Sequence, residues 1–186
     1  MEKKIFYHGT TYSNYLHILE GVDVNINRCP GSELDFGYGF YLTDAFWYAE
    51  RIARQNADNL KEIGKYDPKN DRPVVIKVEV DMDQIRSADG LILRKKDKDF
   101  LSTVFMARLA KAGRDTIHKD YVYGPIAGGA CDRVVGLYEK KHTAIRKWWC
   151  KFNFMLPFGS WNAKQLVIKN QSLVGALKTV SVKRIY

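Results

Sequence analysis

Apolar and polar positions change period several times along the chain. The clearest segment follows Pro73: Val74, Ile76, Val78 and Val80 alternate with Val75, Lys77, Glu79 and Asp81, which is the two-residue period of a strand. Residues 4 to 8 form a short apolar run ending in Tyr7-His8-Gly9-Thr10, where Gly9 permits a turn or a close approach of a ligand to the backbone. A helix is predicted from about Asn14 to Glu20, with Ser13 as N-cap, Tyr15, Leu16 and Leu19 on one stripe, and Gly21 as its stop. Val22 to Leu34 has no sustained period and contains Pro30-Gly31, so it reads as a loop able to line a cleft.

Asp35-Phe-Gly-Tyr-Gly-Phe-Tyr-Leu-Thr-Asp44 joins two glycines to an aromatic strand that carries Tyr41 at its end. Thr43 is placed to cap a helix starting at Asp44, whose inward face is Ala45, Tyr48, Ala49, Ile52 and Ala53. Residues 97 to 112 put Phe100, Leu101, Val104, Phe105, Arg108, Leu109 and Ala112 on a helical stripe, with the cationic run Arg94 to Lys98 at its amino end. Further strands are predicted at 121–127, broken by Gly124-Pro125, around Val134, Val135 and Leu137, at Gln165 to Lys169, and at Leu177 to Ile185. A helix from about Thr143 to Phe154 would turn Ile145, Trp148, Trp149 and Phe152 inward, and Leu156 to Asn162 reads as a loop. The expectation is a mixed α+β chain, one domain over residues 1–186, without internal repeats.

At 186 residues, 46% hydrophobic, with 14 glycines and 5 prolines, the chain is neither collagen-like nor wholly disordered. It is long enough to bury roughly 70% of its extended surface without a staple. No run reaches the 18 apolar residues needed to span a bilayer and Met1 to His8 has no signal-peptide apolar core, so a cytoplasmic location is expected. Cys29, Cys131 and Cys150 are widely separated and form no ligand-spaced cluster with His8, His17, His118 or His142, so neither a disulfide framework nor a metal site is predicted. The net charge of +9 is unevenly spread: residues 1–90 hold 11 Lys and Arg against 15 Asp and Glu, residues 91–186 hold 19 against 6. Such a carboxyl half can steer a polyanion, although it also fits a merely soluble basic domain.

Tyr7-His8-Gly9-Thr10 and the later Phe36-Gly37-Tyr38-Gly39-Phe40-Tyr41-Leu42-Thr43 resemble two signature elements of the ADP-ribosyltransferase superfamily. The nearest resemblance is to a bacterial family of unknown function related to the catalytic domains of poly-ADP-ribose polymerases. Tyr123-Gly124-Pro125-Ile126-Ala127 and Gln165-Leu166-Val167-Ile168 resemble further landmarks of that group, so the likeness spans residues 7 to 168. It implies split antiparallel sheets around an NAD cleft with peripheral helices, and NAD as substrate. It also implies roles: His8 bonding the adenosine-side ribose, Gly9 and Thr10 in the same cofactor-binding turn with the Gly9 backbone reading the nicotinamide carboxamide, and Tyr41 stacking on nicotinamide. Gln165 falls where many such enzymes place a catalytic glutamate.

Breaking the nicotinamide glycosidic bond develops positive charge on the ribose, so a site must hold a strained NAD and stabilise an oxocarbenium-like transition state. A glutamine orients the ribose without a full negative charge, which favours single ADP-ribose transfer or NAD cleavage over chain extension. Phe46, Trp47 or Tyr48 could supply a second pocket aromatic, and spacing does not choose among them. Asp35 is a candidate for ordering the preceding loop, Asp132 for orienting Gly128-Gly129, and Glu139 is an exposed carboxylate without an assigned role. The basic aromatic stretch offers a nucleic-acid face, Lys140, Lys141, Arg146, Lys147 and Lys151 for phosphate and Trp148 or Trp149 for base stacking, against the plainer reading of a solubilised buried helix.

The leading expectation is therefore an NAD-dependent mono-ADP-ribosyltransferase acting on a protein, nucleic-acid or small-molecule acceptor, with a toxin or defence role resting on resemblance alone. The alternatives are an NAD glycohydrolase and a catalytically inactive ADP-ribose or nucleic-acid binding module.

Overall fold

A computed structural model describes residues 2–25, 34–109, 116–127 and 162–186. In chain order the elements are β1 (Lys3–Thr11), α1 (Tyr12–Glu20), β2 (Phe40–Thr43), α2 (Phe46–Glu62), β3 (Pro73–Asp81), α3 (Met82–Arg86), β4 (Gly90–Ile92), α4 (Lys98–Leu109), β5 (Tyr121–Pro125), β6 (Lys164–Ile168), a 3-10 helix (Gln171–Ala176) and β7 (Leu177–Arg184). The α+β expectation holds. The strands form one seven-stranded sheet in the order β4-β5-β6-β2-β1-β3-β7, parallel only between β4 and β5.

Two separate small sheets were implied by resemblance, and the arrangement is instead a single sheet with a narrow waist. β1 pairs with β3 from Lys3↔Asp81 to Thr11↔Pro73, and β2 pairs with β6 along its whole length, from Phe40↔Ile168 to Thr43↔Gln165. Between β1 and β2 the register is the single pair Tyr7↔Thr43. Past that pair the two strands fork.

Strand alternation sorts the core into two faces. Phe6, Phe40, Leu42, Ile76, Val78, Val80, Leu166 and Ile168 share one buried cluster with Met82 and Ile85 of α3 and Leu173 of the 3-10 helix. On the opposite face Val75 lies beneath Ala49 and Ala53 of α2, while Val122 and Val167 meet Phe36 and the Phe100, Leu101 and Val104 stripe of α4. Each fully buried side chain of this size contributes about 1.5–3 kcal/mol, so the α4 stripe is a main anchor of the β5–β6 half.

The alternation predicted for residues 74–80 is the observed β3, and Val75 is buried as well because α2 covers its face. The predicted first helix begins two residues earlier, with Thr11 rather than Ser13 before it; the Ser13 hydroxyl donates instead to Asp71. Helix α2 starts at Phe46 rather than Asp44, because Thr43 sits in β2, where its hydroxyl donates to the Lys164 carbonyl at 3.0 Å and accepts from the Ala45 N–H at 3.2 Å. Strand β4 and helix α3 have no counterpart in the sequence reading. The predicted strand near Val134 and helix over 143–154 lie outside the described residues. Among the described residues no helix is long and apolar enough to cross a membrane.

Candidate functional site

The fork between β1 and β2 brings the two sequence motifs together. His8 Nδ1 lies 2.7 Å from the main-chain carbonyl of Tyr41. A carbonyl only accepts, so Nδ1 carries the proton and a neutral ring keeps Nε2 as an acceptor. The imidazole also stacks on Phe40, with ring centroids 4.5 Å apart and 24° between planes. Burial pushes the His8 pKa below its ordinary value, and the bond to Tyr41 opposes that shift only in part. His8 is therefore a neutral, oriented imidazole at pH 7.

Tyr41 closes its own loop. Its hydroxyl donates to the Gly37 carbonyl at 2.7 Å and accepts the Phe36 N–H at 3.0 Å, and its ring packs against the cluster containing Phe36 and Phe100. Burial, followed by the nearby Asp35 charge, holds its pKa well above the usual tyrosine value, so the hydroxyl stays protonated. Lys169, buried at the end of β6, ties the same loop by donating to the Phe36 carbonyl at 3.1 Å and lying 4.4 Å from the Tyr38 ring centroid. Gly39 has φ 146°, and a Cβ there would come within 2.5 Å of Val167 Cγ1 and 2.8 Å of the Ile168 carbonyl. The glycine-aromatic motif is thus a tightly built wall against β6.

Gln165 stands opposite Thr43 in β2 and Gly124 in β5, and is only 5% exposed. Its Nε2 donates to Asp35 Oδ2 at 2.7 Å and more weakly to the Pro125 carbonyl at 3.3 Å. Asp35 is the hub: Oδ2 also accepts the Ala127 N–H at 2.8 Å, and Oδ1 pairs with the Arg108 guanidinium from α4. Residues 26–33 of the loop that Asp35 is expected to order lie outside the described residues, and the partners of Asp35 are Arg108, Ala127 and Gln165, in the protein interior. The Asp35–Arg108 pair was not recognised from sequence. Its signal was a lone cation on the otherwise apolar stripe of α4, which implies a buried partner without naming it.

Of the residues singled out in sequence, His8 and Tyr41 touch. Tyr41 and Gln165 share a sheet face, two register positions apart, whereas alternation turns the His8 side chain to the other face with Phe6 and Phe40. A ligand reaching all three would have to lie across the fork. Thr10 is buried opposite Val74. Gly9 is within a strand rather than a turn, and the close neighbour it admits is α2: a Cβ would fall 1.9 Å from the Ala49 carbonyl oxygen and 2.9 Å from the Ala53 nitrogen. The Gly9 carbonyl faces Asn56 Nδ2 at 3.4 Å.

Among the three candidate aromatics, Phe46 packs edge-on to Tyr7 with Lys183 above it, and Trp47 is half exposed against the Tyr48 ring. Tyr48 is the one coupled to the Tyr41–Asp35 group: burial raises its pKa, and the Asp35 charge raises it further. Asp132 and Glu139 lie outside the described residues, as does the whole candidate nucleic-acid face of Lys140, Lys141, Arg146, Lys147, Trp148, Trp149 and Lys151. Among the described residues no group of three or more His, Cys, Asp or Glu side chains is arranged to hold a metal ion.

The described residues thus define an α+β chain with one mixed sheet and a polar group buried beside its waist. The chain belongs to the family described as "Protein of unknown function (DUF3990)", whose model matches residues 5–179. No curated protein and no solved structure matches it.

Proposed function

We propose that the chain is an NAD-dependent mono-ADP-ribosyltransferase whose dinucleotide lies across the fork between β1 and β2. The observation carrying this reading is the 2.7 Å bond from His8 Nδ1 to the Tyr41 carbonyl, which joins the two motifs that resemble the superfamily. In this reading the free Nε2 of His8 accepts a hydrogen bond from a ribose hydroxyl, the protonated Tyr41 presents a neutral aromatic ring to nicotinamide, and Tyr48 is the second aromatic. The Gly9 and Thr10 backbone is the further NAD contact that the resemblance implies. Gln165 orients the ribose.

The bond from ribose C1′ to the nicotinamide nitrogen breaks, its electron pair leaving with nicotinamide. An acceptor lone pair then forms the new bond to C1′ and the acceptor loses its proton to solvent. Gln165 supplies no full negative charge to this transition state, which suits a single transfer rather than chain extension. The acceptor is a protein, nucleic acid or small molecule, and water in its place would make the protein an NAD glycohydrolase. A second reading, a binding module for ADP-ribose that does no chemistry, is favoured by the burial of Gln165 and its commitment to Asp35.

Incubation with NAD and separate protein and nucleic-acid pools, followed by intact-mass analysis and nicotinamide measurement, separates these readings. Nicotinamide release with an added mass of one ADP-ribose supports transfer. Release without that mass supports hydrolysis, and saturable binding without release supports the binding module.

A further inference from the structure

The geometry points to Asp35 as the positioning residue for Gln165, fixing which end of its amide faces a ligand; this rests on the NAD reading above. Both neighbours of Nε2, the Asp35 carboxylate at 2.7 Å and the Pro125 carbonyl at 3.3 Å, are acceptors only. The opposite amide orientation would set the Gln165 carbonyl oxygen against them and repel. The planar amide therefore directs Oε1 away from Asp35 and Pro125.

Asp35 cannot easily yield. One of its oxygens pairs with Arg108 of α4 and the other also accepts the Ala127 N–H at 2.8 Å, so two separate segments hold it. The side chains of Asp35 and Arg108 are 7% and 6% exposed. The negative charge missing from position 165 is thus present next to it, shared with a guanidinium, and its work is to orient a neutral acceptor. An oriented amide oxygen suits a hydroxyl donor such as a ribose hydroxyl and repels a phosphate oxygen, so Gln165 selects the sugar of the dinucleotide rather than its pyrophosphate.

The test compares NAD turnover and melting temperature for the full-length protein, Asp35→Asn, Gln165→Glu and the double exchange Asp35→Asn/Gln165→Glu. Asp35→Asn is expected to lower kcat for nicotinamide release by about tenfold or more, the scale expected when a reacting group is mis-set, with KM for NAD within about threefold. Gln165→Glu alone sets two carboxylates together and lowers the melting temperature. The double exchange removes the carboxylate repulsion of Gln165→Glu and keeps an oxygen turned outward, so melting temperature and kcat are expected to rise above those of Gln165→Glu, while the Ala127 N–H and Arg108 stay without their carboxylate partner as in Asp35→Asn.

Unchanged kcat in Asp35→Asn overturns the positioning role. So does a double exchange that recovers melting temperature but not kcat, since Asp35 would then be structural only. Should Asp35→Asn fail to fold, the double exchange against Gln165→Glu still decides. A wild-type protein that folds but releases no nicotinamide instead sinks the NAD reading, and this role with it.

Discussion

His8 Nδ1 donates to the main-chain carbonyl of Tyr41 across 2.7 Å, at the point where β1 and β2 have already parted. A side chain thus takes the place of a ladder bond that the forked strands no longer make, and the ring it fixes is held in one tautomer. Nδ1 stays a donor when Nε2 is protonated, so it is the burial of the ring, not this bond, that couples folding to the charge on the histidine.

That coupling has a sign. Because burial lowers the folded-state pKa of His8 below its ordinary value, the unfolded chain takes up a proton first as pH falls. The stability contribution is full above about pH 6.5, the usual histidine value, and declines as pH drops through that value towards the lowered one. Urea melts between pH 7.5 and 5 should show this loss, and His8→Ala should flatten it while lowering stability at pH 7.5 by about 0.5–1.5 kcal/mol for the missing bond.

Gly9→Ala should destabilise the protein irrespective of any ligand. The added methyl would overlap the Ala49 carbonyl of α2, a backbone atom that cannot rotate aside. An overpacking cost of about 1–3 kcal/mol corresponds to several degrees in melting temperature for a chain of this size. An unchanged melt would mean that α2 shifts freely over β1.

Tyr41→Phe should keep the packing and remove two hydrogen bonds, those with the Phe36 N–H and the Gly37 carbonyl. Leaving these partly buried groups unpaired costs about 1–3 kcal/mol. If Tyr41 also stacks on nicotinamide, the retained ring should preserve NAD binding in Tyr41→Phe and lose it in Tyr41→Ala, measured by titration calorimetry.

Asp35→Ala should be the most damaging single change of the buried group, since it strips the Arg108 guanidinium of its carboxylate. Breaking such a pair from one side costs about 3–5 kcal/mol. Asp35→Ala, Arg108→Met and the double variant form a cycle, and denaturant midpoints should show the double to be less costly than the two singles added together.

The parts of the fold visible in sequence are those with enough repeats of a period. The four alternating valine and isoleucine positions of β3 and the Phe100-to-Val104 stripe of α4 are examples. Strand β4, Gly90–Ile92, and helix α3, Met82–Arg86, are too short for a period to emerge; α3 is capped by Asp81, which accepts from the Asp83 and Gln84 N–H groups, and anchored by Met82 and Ile85 in the core. Thr43 carried a capping signal, but its hydroxyl is engaged between Lys164 and Ala45 within and just after the strand.

In the site, motif order identified His8 and Tyr41 as neighbours. Arg108 could not be tied to Asp35, 73 residues away, until the fold set α4 over β5 and β6. Gln165 was legible through the resemblance of its strand to a family landmark, with an edge-solvating glutamine as the plainer reading. Its partner was not.

The proposed function requires NAD to bind in the His8–Tyr41 fork. Calorimetric titration with a non-hydrolysable NAD analogue, on the wild type and on His8→Ala, measures that binding. Saturable one-site binding that weakens about tenfold or more in a folded His8→Ala protein is the predicted result, equivalent to about 1.4 kcal/mol. No binding by the wild type, or equal affinity in the two proteins, would contradict it.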